Sequence, residues 1–215
     1  MMNDRYEVQQ PRLDVYKTDA GMDAKPVRSF PAPRQLTIMQ SGDDGTLYVA
    51  KFNADGTMNW LPLTFGQGPL TAANGFRSQG DVLIETRRAA DLSGATKMDR
   101  PEDIEPDPHT GRVYVILTKN ANRKPQETEP ANPRSENKFG HIIELIPPGS
   151  EGPKGRIANS DHAATTFRWE MFLMGGDPNN AGHGAKYGPG VKEGYLAAPD
   201  NLAFDRRGHM WIVTD

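Results

Sequence analysis

Short apolar runs separated by Gly, Asp, Asn and Pro set the rhythm of the chain, and runs bounded by turn formers in this way signal strands. Residues 36–39 read as one strand, 46–52 as a second and 58–63 as a third. Ser41-Gly42-Asp43-Asp44-Gly45 turns the chain after the first, and Asn53-Ala54-Asp55-Gly56-Thr57 after the second. In 46–52 the side chains alternate, with Tyr48, Ala50 and Phe52 on one face and Leu47, Val49 and Lys51 on the other. Turns this regular predict an antiparallel meander. One helix is expected over 81–92, where Val82 with Ala89 and Leu83 with Ala90 recur on one side; Asp81 can cap its start and Gly94 its end.

The most informative feature is an internal repeat. Residues 101–118 open with Pro101-Glu102-Asp103-Ile104 and close with Val115-Ile116-Leu117-Thr118. Residues 199–214 open with Pro199-Asp200-Asn201-Leu202 and close with Trp211-Ile212-Val213-Thr214, a match with a two-residue gap that makes Thr214 the counterpart of Thr118. Each copy reads as a strand, a Gly turn and a second strand. Between them, 141–146 and 165–172 read as two more strands, so each repeat holds four, lengthened by loops at 119–139, 148–163 and 174–198. Four antiparallel strands repeated is a β-propeller blade. The expected fold is therefore mainly β: a partial β-propeller of four-stranded antiparallel blades with one short helix and long inserted loops. Residues 41–215 form the propeller part, with one full blade at about 101–173 flanked by incomplete ones. A propeller closes with about 4–8 blades, so the chain reads as a fragment of a larger one; the alternative is a small self-contained β-sheet protein.

Composition narrows the partners. Gly 22 and Pro 18 together exceed the average share and fit many turns. Lys+Arg 25 against Asp+Glu 28 leaves a net charge of −3, without the basic field that a nucleic-acid partner calls for. The longest apolar runs, such as Val113-Tyr114-Val115-Ile116-Leu117, fall far short of the roughly 20 residues that span a bilayer, so no transmembrane segment is expected. Residues 1–16 are polar, with no signal peptide visible. Cys 0 removes disulfides, thiolate nucleophiles and Cys-ligated zinc.

Candidate chemistry falls on the repeat. Glu102 and Asp200 hold the same place in the two copies, just after the opening Pro. Equivalent positions on successive innermost strands of a propeller face the central axis, so the two carboxylates are expected to converge there and suit Ca²⁺ or another hard cation. The competing reading is a pair of turn acids bonded to local backbone. Arg100 can hold an anion bidentately or be a solvated charge. Thr118, Asn120 and Arg134 are further candidates at the same end, with Asn132, Arg134 and Asn137 in an inserted loop that reads as solvated unless something orders it. No His-Glu-x-x-His, Walker spacing or Gly-x-Ser-x-Gly elbow is present, and 53–56 is a hairpin turn rather than a calcium loop.

Several ordered segments resemble the PhoX family of bacterial alkaline phosphatases. They are Gly45-Thr46-Leu47-Tyr48-Val49-Ala50-Lys51-Phe52, Gly66 to Phe76, Met98-Asp99-Arg100-Pro101-Glu102-Asp103, Asn132-Pro133-Arg134 followed by Gly140-His141-Ile142-Ile143, Phe167-Arg168-Trp169 through Gly176-Asp177-Pro178, and the closing 199–215. The resemblance covers roughly 45–215, whereas 1–40 match poorly. It implies a β-propeller phosphomonoesterase, periplasmic or secreted, with calcium and iron in its central cavity and phosphate esters as small-molecule substrates. By motif, Glu102 would be a metal ligand, and Asp200 another by repeat equivalence. Other ligand segments of the family, one with a Cys, have no counterpart here, so the chain alone is expected to bind metal weakly and to lack activity. The alternatives are a calcium-dependent lactonase-like propeller and a propeller interaction module without metal.

Overall fold

The computed structural model describes residues 12–15, 28–31, 37–39, 46–189 and 195–215. Its strands are β1 (Arg12–Val15), β2 (Arg28–Pro31), β3 (Thr37–Met39), β4 (Leu47–Phe52), β5 (Thr57–Pro62), β6 (Pro101–Pro106), β7 (Val113–Leu117), β8 (His141–Ile146), β9 (Ser150–Glu151), β10 (Ile157–Ala158), β11 (Thr166–Met174), β12 (Pro199–Phe204) and β13 (Met210–Thr214). Two helices, α1 (Gln79–Ile84) and α2 (Thr86–Ser93), lie between β5 and β6. The chain is mainly β, as its patterning predicts. The turn expected at 41–45 and most of 1–40 lie outside the described residues.

Seven strands form one curled antiparallel sheet in the order β3-β4-β5-β11-β8-β7-β6. The four strands expected of the blade at 101–173 are contiguous within it. They are not a separate leaf, however. β11 pairs with β8 over Arg168–Met174 and with β5 over Thr166–Arg168, which joins the blade to the preceding meander. Aromatic packing holds this seam: Phe52 meets Trp169 edge-on at 5.3 Å and Trp60 meets Phe167 at 6.1 Å. The Trp169 indole N–H also donates to the Asn53 carbonyl at 3.1 Å.

The alternation in β4 splits its faces as expected. Ala50 and Phe52 join the main core with Val113, Val115, Ile143 and Leu145, while Leu47 and Val49 pack with Leu63, Leu70 and Phe76 against Val82, Ala89 and Ala90 of the helices. The single helix expected at 81–92 is two. At Glu85 the backbone leaves helical geometry (φ −98, ψ 36), and the Thr86 hydroxyl takes the Leu83 carbonyl that a continuing helix would use. Ser78, not Asp81, caps α1 by accepting from the Asp81 amide at 3.1 Å; Gly94 does close α2, in the left-handed conformation.

The two repeat copies are the hairpins β6-β7 and β12-β13. The second lies face to face on the first, with Leu202, Phe204, Met210 and Ile212 against Tyr114, Ile116 and Ile142. Pro101 is opposite Leu117 and Pro199 opposite Thr214, so the register makes Leu117 the counterpart of Thr214 and Thr118 the counterpart of Asp215. The expected Thr118–Thr214 equivalence is thus off by one, because the turn absorbs a smaller gap than the sequence match assumed. Tyr114 and Ile116 of the first copy correspond to Trp211 and Val213 of the second, which are exposed.

Candidate functional site

The site grows from the start of each copy. Both hairpins carry a β-bulge at the same place: Glu102 is the extra residue between Pro101 and Asp103, and Asp200 the extra residue between Pro199 and Asn201. Pro cannot donate to a ladder and is tolerated at a strand's first position, and a bulge there re-aims the side chain that follows. The residue before each Pro, Arg100 (φ 51) and Ala198 (φ 47), is left-handed without being Gly. Strain of this kind clusters at functional sites. In both copies a partner amide holds the strained carbonyl: Thr118 N–H on Arg100 O at 3.1 Å and Asp215 N–H on Ala198 O at 2.9 Å.

Arg100 reaches two acids at once. Its Nε donates to Glu102 Oε1 at 2.6 Å and its Nη1 to Asp215 Oδ2 at 2.9 Å. Burial alone would lower the Arg100 pKa; the bonds to Asp215 and Glu102 outweigh it and hold it above its ordinary value. Lys119 donates to the same Asp215 oxygen at 3.1 Å, and with Arg100 it keeps that carboxyl below the usual carboxylate range. No described residue pairs with the Asp200 side chain.

Behind this charged end lies a network that the sequence reading missed. The Asp99 carboxylate is fully buried and accepts from Arg123 Nε at 2.6 Å, Asn120 Nδ2 at 3.0 Å and Asn137 Nδ2 at 2.9 Å. Its amide donates to Asn132 Oδ1 at 2.9 Å. Asn137 also donates to Nδ1 of the fully buried His141, whose Nε2 lies 2.9 Å from the Ala131 carbonyl. Burial pushes the His141 pKa down to about 4, with Asp99 opposing, so the ring is neutral near pH 7. The loop at 119–139, read from sequence as solvated, is therefore ordered from within: Ala131, Asn132 and Asn137 are buried. Asn120, Asn132 and Asn137 were the available signal, but their common partner, Asp99, lies upstream in the turn before β6.

The other candidates are placed as follows. Asn120 is engaged by Asp99 and accepts from the Asn122 amide, so it belongs to the buried network. Thr118 is fully buried, and among the described residues nothing bonds its hydroxyl; Arg134 Nε is in the same condition. Arg134 Nη1 donates to the carbonyls of Gly175 at 2.7 Å and His183 at 2.9 Å, and Nη2 donates to the Gly140 carbonyl.

Among the described residues no three His, Asp or Glu side chains come together as metal ligands. Glu102 and Asp200 suit a hard cation in kind, as carboxylate oxygens. They fall short in number, since Ca²⁺ takes about six to eight oxygen ligands.

The sequence matches the family "Alkaline phosphatase PhoX" over residues 12–215, so the match extends into residues 1–40, where the sequence motifs alone show little resemblance. A solved structure of Pseudomonas fluorescens PhoX, in complex with vanadate, a transition-state analogue, is similar at 39% identity with a TM-score of 0.68. That match covers 80% of this chain and 30% of the other. None of the curated proteins matches. With a family match over nearly its whole length and a related fold, the chain belongs to the PhoX alkaline phosphatase family.

Proposed function

We propose that this chain supplies part of the active site of a metal-dependent phosphomonoester hydrolase, exported to the periplasm or beyond. The observation that carries the reading is the paired bulge: Glu102 and Asp200 are presented alike from two stacked hairpins, with the Arg100 guanidinium beside Glu102. The family's activity and the vanadate bound in the solved relative point the same way.

In this reading Glu102 and Asp200 are ligands to calcium or iron, and such cations would neutralise charge on the phosphoryl oxygens and lower the pKa of a bound water. Arg100 orients the phosphoryl group: its fork matches two oxygens of a phosphate as well as it matches carboxylates. A phosphate arriving there competes with Glu102 and Asp215 for the same N–H groups. Thr118 and Asn120 stand directly behind, Thr118 holding the Arg100 carbonyl and Asn120 the Asp99 carboxylate.

The test is metal analysis together with phosphomonoesterase assay of a protein that carries this chain at the length of the solved relative. Calcium with iron and hydrolysis of a simple aryl phosphate support the reading. Calcium alone without phosphatase activity would favour a lactonase-like hydrolase, and neither metal nor activity an interaction module.

A further inference from the structure

We propose that Arg134 is a positioning residue that fixes the separation of the two bulged acids. A long loop adjoins the start of each copy. The loop at 119–140 follows Thr118, which holds the Arg100 turn, and the loop at 175–198 runs into Ala198, Pro199 and Asp200. Arg134 comes from the first loop and its guanidinium bonds carbonyls of both: Gly140 on its own side, Gly175 and His183 on the other.

The backbone bonds around that guanidinium lead directly to the site. The Gly175 amide donates to the Gly140 carbonyl at 3.0 Å, and the Ala198 amide donates to the Phe139 carbonyl at 3.0 Å. Gly140 in turn is wedged against the end of β7 and the start of β12. A Cβ there would lie 2.2 Å from the Thr118 carbonyl and 2.7 Å from the Pro199 ring. A shift of the 134–140 segment is therefore felt at once by Thr118, which holds Arg100, and by Pro199, which precedes Asp200.

The chemistry of the group argues for a clamp rather than for packing. Among the described residues no carboxylate pairs with Arg134, and burial lowers its pKa. Burying a cation against carbonyl dipoles alone costs desolvation that a neutral side chain would avoid. Only the planar fork of an arginine meets acceptors on two loops at once, with directions fixed. The catalytic meaning rests on reading Glu102 and Asp200 as ligands; the clamp itself does not.

Two measurements on the 215-residue chain test the clamp. In the unaltered protein, the Nη protons of Arg134 should give separate, slowly exchanging NMR signals; averaged signals would overturn the proposal without any variant. Arg134→Met and Arg134→Lys should each raise amide exchange at Gly175, Ala198 and Leu202 about thirtyfold, the size of one lost bond to a charged donor, with β7 and β8 unchanged. Exchange that rises equally everywhere, or not at all, would overturn it. At the solved relative's length, Arg134→Lys should lower kcat about tenfold with KM little changed, as misplacement of positioned groups does. Faster local exchange with unchanged kcat would refute the positioning role. Absence of phosphatase activity in the unaltered protein would instead remove the functional reading and leave the exchange result standing.

Discussion

The Asp103 carboxylate of the first repeat copy accepts a hydrogen bond from the Leu202 amide of the second at 2.8 Å. The other oxygen of Asp103 accepts from the Ile104 amide next to it at 2.9 Å, so one side chain links the strand beside the bulge to the second copy. Asp103→Ala should cost about 2 kcal/mol in urea unfolding, the usual worth of a bond to a charged acceptor. Asp103→Asn should cost less, because its amide oxygen still accepts. Equal stability of all three proteins would show that the bond carries nothing.

Gly140→Ala should be among the most damaging single changes outside the main core. Gly140 has φ +70, and the added methyl would meet the Thr118 and Leu117 carbonyls at 2.2 and 2.5 Å, both backbone atoms that cannot step aside. The expected loss is about 3 kcal/mol or more, read as a lower Tm or as failure to accumulate folded protein.

Stability should fall as the solution is acidified through the range set by His141. The folded ring has a pKa of about 4, below its ordinary 6.5, so the unfolded chain takes up the proton first. Stability is full above the unfolded value and declines as pH drops from about 6.5 to about 4, by on the order of 3 kcal/mol. Urea titrations at several pH values check this, and His141→Gln should flatten the slope. Asp99, Arg123 and Arg134 are the charged groups that act on the ring.

Activity separates the family from the molecule. The 215-residue chain should hydrolyse phosphomonoesters at background even with Ca²⁺ and Fe³⁺ added, since it offers two bulged carboxylates where a calcium shell takes about six to eight oxygens. In a protein of the relative's length, Glu102→Ala should remove most activity. Robust turnover by the short chain, or an active Glu102→Ala protein, would take Glu102 out of the site.

Much of this was legible in the residues. Alternation in 46–52 and turn formers around it identify β4 and its two faces, and the Pro-acid openings identify both hairpins before any geometry is known. Two things were not legible. The continuity of the sheet through β11 depends on how far a single long strand slides from one neighbour to the next, which no local pattern encodes. The Asp99 network joins residues from separate loop positions, each of which taken alone is an ordinary polar turn former. A match scored by its ending Thr also could not place the gap within a Gly turn, and so missed Asp215 as the partner of Arg100.

The left-handed residues before Pro101 and Pro199 have a kinetic consequence. A non-glycine residue in that conformation costs about 1–3 kcal/mol, and here it is repaid only when the opposite strand has delivered its amide to the strained carbonyl. We therefore expect both turns to close after their hairpins have zipped, so that their energy is felt mainly on the unfolding limb. Ala198→Gly should slow unfolding and leave the folding rate where it is, the outcome expected if Glu102 and Asp200 are set in place last.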